Sequence, residues 1–489
     1  VTSTDPKAIQ SGALAGRGMG SAILLLALPV MVQQLLQAFV GMTDKMLAGH
    51  LVEGVRIAAL DAIGIGSFVT WFIGIAMSGL GIGGQVIIAR AMGAGDRSTA
   101  KHALGQAMGV SFAWGAFVGL LLYGLAPSLA LLAKLTPAAA GYLVDYLNVL
   151  ALSMPLAGVM LVGAMCLHGA GETRKPALIA IFVNVVNAGV SWALSGADID
   201  LGALPGQLAA EGRMVTNPFD FDLGVAGIAA GTSVGYAIGA LLTWHALVRG
   251  VPDLALSRSE LRPRRDMIQR FLRIGVPNFA EGIAMWAVNL FVLLFIGKIA
   301  AESLKEGALE GGLQGAHIIG IQWEAFSFLP GYAIGTASAT LTGQYLGAGD
   351  PASARRAVLT CAAFASALMG VLGVIFMTFG ETLTRMISSE PIHLELVPQL
   401  LFICGAVQIP FAITMVMRQS LRGAGDTRWV FLITTFSSYA VRLPATYVLG
   451  IVMGLGLKGI WYGLCGEFLI RATLFSSRFL HGGWQRTRV

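Results

Sequence analysis

The sequence predicts an all-α polytopic membrane protein of about twelve transmembrane helices, arranged as two six-helix bundles related by pseudo-twofold symmetry along the membrane normal. Three observations carry this expectation. Hydrophobic residues make up 56% of the 489 and charged residues only 12%, with a mean hydropathy of +0.74, whereas a soluble chain carries about twice that charged fraction. Long apolar segments recur along the whole chain, separated by short polar ones. Finally, ARAMGAGDRSTAKHA (Ala89 to Ala103) reappears as GQYLGAGDPASARRA (Gly343 to Ala357), and LHGAGETRKP (Leu167 to Pro176) as LRGAGDTRWV (Leu421 to Val430), both 254 residues later. A looser match sets Pro29 opposite Pro277 and Gln33 opposite Glu281. With an even number of spans in each half, the halves share one orientation and leave a cavity between them near mid-membrane.

The first span, 20–48, contains Gln33, Gln34, Gln37 and Asp44 in otherwise apolar sequence, with Pro29 near its start removing a backbone donor. A carboxylate in hydrocarbon costs several kcal/mol, so Asp44 must face a wet cavity or a partner, or be protonated. The blander reading pairs it with Lys45, but residues i and i+1 do not share a helix face. The remaining spans read 59–90, 103–131, 140–168, 176–195 and 223–248, then 269–299, 315–345, 356–382, 394–421, 429–450 and 458–480. Residues 1–250 and 269–489 form the two bundles, and 251–268 is a basic linker. The long connections 195–223 (Asp198, Asp200, Glu211, Asp220, Asp222) and 300–315 (Glu302, Glu306, Glu310) are acidic.

Orientation follows from Lys and Arg. With a cytoplasmic N-terminus, about 23 of the 32 lie in or beside the connections on that side, as the positive-inside rule requires. Both termini are then cytoplasmic and both acidic connections external, so the net charge of +6 reflects topology rather than a nucleic-acid surface. The polar N-terminal stretch VTSTDPKAIQSGALAGRGMG does not read as a removed signal peptide. Cys166, Cys361, Cys404 and Cys465 lie in apolar runs without a CxxC pair and read as reduced packing residues.

Enzyme chemistry finds no support. The seven histidines are scattered, there is no HExxH or Cys/His cluster, and no GxxxxGK[ST] loop for ATP. The run GLGIGG (Gly79 to Gly84) loosely resembles a dinucleotide loop, but it lies inside an apolar span with no strand before it. Gly227, Gly231, Gly235 and Gly239 recur every four residues in the sixth span, a ridge for close helix packing. In the GAGD turns, Asp96 and Asp350 suit helix N-caps, with Gly93 and Gly347 as helix stops.

The segments LALPVMVQQ and TDKMLAGHL, the two GAGD turns, HGAGETRKP with FVNVVNAG, GVPNFAEG, IQWEAFSFLPG and LRGAGDTR occur in an order that resembles the multidrug and toxic compound extrusion (MATE) family over essentially the whole chain. IQWEAFSFLPG and the context of Glu281 are similar to its prokaryotic DinF-like subgroup. The resemblance implies a V-shaped pair of six-helix bundles in the cell (inner) membrane, acting as a monomer in lipid. It implies export of small amphipathic, often cationic, compounds against inward H+ or Na+, with no cofactor beyond the coupling ion. It places that ion, the only metal implied being Na+ at Asp44, among Asp44, Asn184, Asn187 and Thr232. It also makes Glu281 a cation-binding acid. Two positions depart from the family's ion-site patterns: Ser191 and Gly405 stand where some members carry acids.

On physical grounds Asp44 with Asn184, Asn187 and Thr232 suits either ion, since a buried carboxyl can exchange a proton and oxygen donors suit a hard cation. The asparagines can equally be interhelical hydrogen bonders. Gln33, Gln37, Glu281, Glu324 and Trp286 are candidates for a substrate or second cation site, although either glutamate could simply pair with an arginine. Trp71, Trp192 and Met285 could line the same cavity or pack in the core. Glu467 and Arg471, four apart, favour a structural ion pair, and Arg442 requires a buried carboxylate that the sequence does not name. The named intramembrane charges lean acidic and so favour cationic cargo. The principal alternative is a lipid-linked oligosaccharide or lipid flippase of the related superfamily, which would prefer an arginine-rich cavity.

Overall fold

The structure, a computed structural model, describes residues 14, 18–200, 214–219, 221–251, 254–305 and 312–487. Most of the polar N-terminal stretch lies outside these residues, as do Glu211, Asp220, Glu306 and Glu310. The first half is built from α1 (Met19–Gly49), α2 (Glu53–Gly93), α3 (Arg97–Leu132), α4 (Pro137–Gly169), α5 (Arg174–Ser195) and α6 (Gly224–Arg249). The second comprises α7 (Arg265–Lys305), α8 (Leu313–Gly347), α9 (Pro351–Thr378), the short α10 (Gly380–Arg385), α11 (Pro391–Ala406) with α12 (Gln408–Gly423), α13 (Thr427–Phe436) continuing through α14 (Leu443–Tyr447), and α15 (Gly456–His481). Among the described residues eight helices are long and apolar enough to cross a membrane, and α11 with α12 forms a ninth span. The remaining three spans, α8, α13–α14 and α15, place polar side chains inside the bundle, Glu467 and Arg471 on α15 among them. The result is the twelve-span, two-bundle architecture.

Where the structure departs from the expected spans, the backbone supplies the reason. The tenth span is bent by 55° between α11 and α12. There Gly405 presses on the Gly373 backbone, and Gln408 turns its amide onto the Cys404 carbonyl. The ninth span stops at Thr378, and the eleventh is interrupted by π-helical turns at Ser437–Arg442 and Val448–Val452. α7 begins at Arg265, inside the expected linker, after a single 3-10 turn at Arg258–Leu261.

The GAGD turns divide their labour differently from the expectation. Asp96 and Asp350 do cap α3 and α9, accepting the Thr99 and Ser353 N–H at 2.9 Å each. The hydrogen bonds from Thr99 hold the Asp96 carboxyl below the usual carboxylate range. The left-handed residues that stop the preceding helices are Gly95 and Gly349, both at φ 72°, rather than Gly93 and Gly347. Those two glycines instead allow the halves to touch: a side chain on Gly93 would strike the Gln344 carbonyl, and one on Gly347 that of Arg90.

At this end the halves are tied together by hydrogen bonds. Gln344 donates to the Gly169 carbonyl (3.1 Å), Arg90 to those of Ala424 (2.9 Å) and Thr487 (3.0 Å), Thr340 to that of His168 (3.0 Å), and Gln85 to the Thr340 hydroxyl (3.4 Å). Ala22, Ile23 and Leu26 of α1 pack into the core of the second half. At the opposite end, Leu47, Ala48 and Leu51 belong to a core drawn from the first half alone. The halves therefore close on each other at the GAGD end.

Candidate functional site

The first-half site is assembled where α1, α4, α5 and α6 meet. The glycine ridge of α6 makes this possible: Gly227 and Gly231 press on Leu194 and Ser191 of α5, and Gly239 on Met160 of α4 and Val183 of α5, so the helices pack closely. Ser191, at the position of the absent acid, secures the same contact by donating to the Ile228 carbonyl (3.1 Å).

Asp44 is 3% exposed, while its neighbour Lys45 is exposed, so the two do not share an environment. Asp44 Oδ2 accepts from the Tyr146 hydroxyl (3.1 Å) and from the Thr232 hydroxyl (3.4 Å). Asn187 in turn donates its amide to Thr232 Oγ1 (2.9 Å). Two oxygens remain buried without a hydrogen-bond partner among the described residues, Asp44 Oδ1 and Asn187 Oδ1. Carboxylate, amide and hydroxyl oxygens form a donor set that suits a proton or a hard cation such as Na+, and buried oxygens without partners are costly unless something fills that role.

The structure thus brings Asp44, Asn187 and Thr232 together and adds Tyr146, which sequence reading missed because nothing in the spacing of α4 ties it to α1. Asn184 lies one turn earlier on α5 and gives its amide to the Ala180 carbonyl of its own helix (2.9 Å); it is not among Asp44's hydrogen-bond partners. Gln33 has a buried, unpartnered Oε1, and Gln37 is exposed. Trp286 meets Phe72 edge-to-face across the two halves at 5.9 Å. Trp192 donates to the Ala197 carbonyl, Trp71 is exposed, and Met285 accepts from Ser438 and Arg471.

Glu281 adopts the arginine-paired alternative. Its Oε2 accepts from Arg422 at 2.6 Å, its Oε1 from Thr434 at 2.9 Å, and Arg418 lies 3.7 Å away. The Glu467–Arg471 pair forms as expected (2.6 Å), and Glu467 is also the partner Arg442 required (3.1 Å). The Glu324 side chain makes no hydrogen bond or ion pair among the described residues, and Arg442 lies within its electrostatic range. The second half therefore buries four arginines, which corrects the expectation that the intramembrane charge leans acidic.

The sequence model of the MatE family matches residues 29–193 and 277–448. The chain is 28% identical over 478 residues to the probable multidrug resistance protein NorM of Thermotoga maritima, covering 96% of this chain and 93% of that one. It is 25% identical to the multidrug resistance protein PmpM of Pseudomonas aeruginosa, over 90% of this chain and 87% of that one. A structure described as the outward-facing conformation of a multidrug resistance MATE family transporter of the MOP superfamily superimposes with a TM-score of 0.82 at 18% identity, covering 96% of this chain and 98% of the other. With the family model covering more than half of the sequence, the chain belongs to the MatE family, the multidrug and toxic compound extrusion transporters.

Proposed function

We propose that this multi-pass membrane protein is a secondary active multidrug exporter, moving amphipathic, often cationic, compounds out of the cell against inward H+ or Na+. The observation that carries this reading is the Asp44 cluster, a buried carboxylate with an unpartnered oxygen beside the unpartnered oxygen of Asn187. The names of its relatives, multidrug resistance proteins, agree with it. Binding of the ion neutralises Asp44 and lowers the cost of burying it, so α1 can shift against α5 and α6. Cargo bound to the other conformation drives the reverse shift, by its differential affinity for the two states. With the basic connections in the cytoplasm of an inner-membrane protein, both termini face inward. The GAGD end is then the cytoplasmic gate, and it is shut. The chain works as a monomer in lipid and needs no cofactor.

The test is export of ethidium from proteoliposomes with proton and sodium gradients imposed separately. Wild-type protein should export under one gradient, and Asp44→Asn, which keeps the shape of the neutral form, should fall to background while still folding. Wild-type rates from purified Asp44→Asn under the same gradient would remove Asp44 from coupling. The flippase reading draws on the buried arginines of the second half. It requires instead that lipid-linked pyrophosphate cross the bilayer without either gradient.

A further inference from the structure

The buried charges of the second half form two Arg–Glu–Arg triads. Glu281 serves Arg418 and Arg422, and Glu467 serves Arg442 and Arg471. Each triad carries one positive charge in excess, and counting Glu324 still leaves four guanidiniums against three carboxylates. Buried charge without compensation is strongly unfavourable, all the more so within a membrane. The triads differ in how well they are satisfied. Arg471 donates to the Ser437 and Ser438 hydroxyls (2.9 and 2.8 Å) besides its carboxylate, and Arg422 to Gln419 (3.0 Å) besides Glu281.

Arg418 is the exception. Its side chain is 12% exposed, and its Nε is fully buried. Of its five N–H donors, none makes a hydrogen bond among the described residues. Its only carboxylate neighbour among the described residues, Glu281, is 3.7 Å away and already accepts from Arg422 and Thr434 on its two oxygens. Tyr332 lies in electrostatic range and stacks on Phe328 with centroids 5.8 Å apart, both rings half-buried. A guanidinium with unused planar donors and a stacked tyrosine within electrostatic range is suited to an acid group on an apolar, preferably aromatic, body.

We propose that Arg418 is an anion-binding position of the second half, which takes the carboxylate, sulfonate or phosphate of an amphipathic cargo. The word cargo rests on the export reading; the binding position does not. A compound carrying both charges could then be held by its acid at Arg418.

The test uses the full chain in phosphatidylcholine nanodiscs and three probes with one fluorophore: dansylglycine, its neutral methyl ester, and a dansyl-trimethylammonium. Wild-type protein should bind dansylglycine at least about tenfold more tightly than the ester, the size of one charge-assisted hydrogen-bonded contact. Arg418→Gln should abolish that preference, and Arg418→Lys should keep part of it, because the charge survives without the planar fork. Equal wild-type affinities for acid and ester would overturn the proposal, and this comparison needs no variant to fold. A preference that survives in Arg418→Gln would overturn the assignment to this residue. Loss of the preference when phosphatidylglycerol is added to the nanodisc would reassign the position to a lipid headgroup and overturn the cargo claim. Failure of ethidium export alongside an intact, Arg418-dependent preference would refute the export reading and leave the binding position standing.

Discussion

At the scale of single residues, the two halves bury acids in opposite ways, and the difference can be measured. Asp44 has only neutral hydrogen-bond donors around it, whereas the fully buried Glu467 neutralises two guanidiniums at 2.6 and 3.1 Å. Removing the shared anion strands two buried cations, so Glu467→Gln should cost about 3–5 kcal/mol of stability. Asp44→Asn removes a charge that forms no ion pair among the described residues and should cost less than about 1 kcal/mol. Because Cys166, Cys361, Cys404 and Cys465 are all buried, a thiol-reactive dye followed on heating reports unfolding of both variants. An Asp44→Asn protein as unstable as Glu467→Gln would contradict the difference. Of these contacts, sequence could read Glu467–Arg471, because i,i+4 spacing places both on one helix face. It could not read Arg442–Glu467 or Tyr146–Asp44, whose partners come from helices far apart in the chain and are set by packing alone.

Among the elements, helix location was the most legible feature and helix continuity the least. An apolar run with polar ends marks a span, and the observed helices start and end within about six residues of the expected limits. The bend at Val407 precedes Pro410 and the π-helical turns flank Pro444, but Pro127, Pro155 and Pro277 lie inside helices that run on, so a proline alone does not mark a break. The ridge on α6 is an intermediate case: spacing gave its packing role, and the structure gave its partner, α5. That partner makes the ridge a support for the ion site, since Gly231 faces Ser191 one turn from Asn187. A leucine at Gly231 should push the helices apart, cost about 1–3 kcal/mol, and break the Asn187–Thr232 bond, so that gradient-driven export falls with stability. Gly189 on the same helix pair is exposed, and nothing lies within 4 Å of a side chain built there. Gly189→Leu should therefore match wild type in both the thiol assay and export. Equal losses in the two variants would show that any bulk in this helix pair is harmful, and that the α5–α6 contact is not special.

On the scale of the molecule, the internal repeat becomes a closure that is built twice. Arg90 and Gln344 occupy equivalent positions of the two repeats, and each donates across the junction to a backbone carbonyl, Ala424 for the first and Gly169 for the second. Ala89 and Gly343 are likewise equivalent, and a Cβ on Gly343 would lie 2.7 Å from that of Ala89. Equivalent and in contact, these two residues flank the pseudo-twofold axis. A slight separation brings the pair to the roughly 3.5–4.5 Å that a disulfide spans between Cβ atoms. Ala89→Cys with Gly343→Cys should thus cross-link on oxidation, while the four native cysteines, all buried, stay reduced. If transport requires the GAGD end to open, oxidised protein should lose export, retain fluorophore binding from the opposite side, and recover export on reduction. Wild-type protein should respond to neither reagent. Full export from protein whose cross-link is verified by mass would mean that this junction stays closed throughout the cycle, and the moving parts would then have to be sought within a single half.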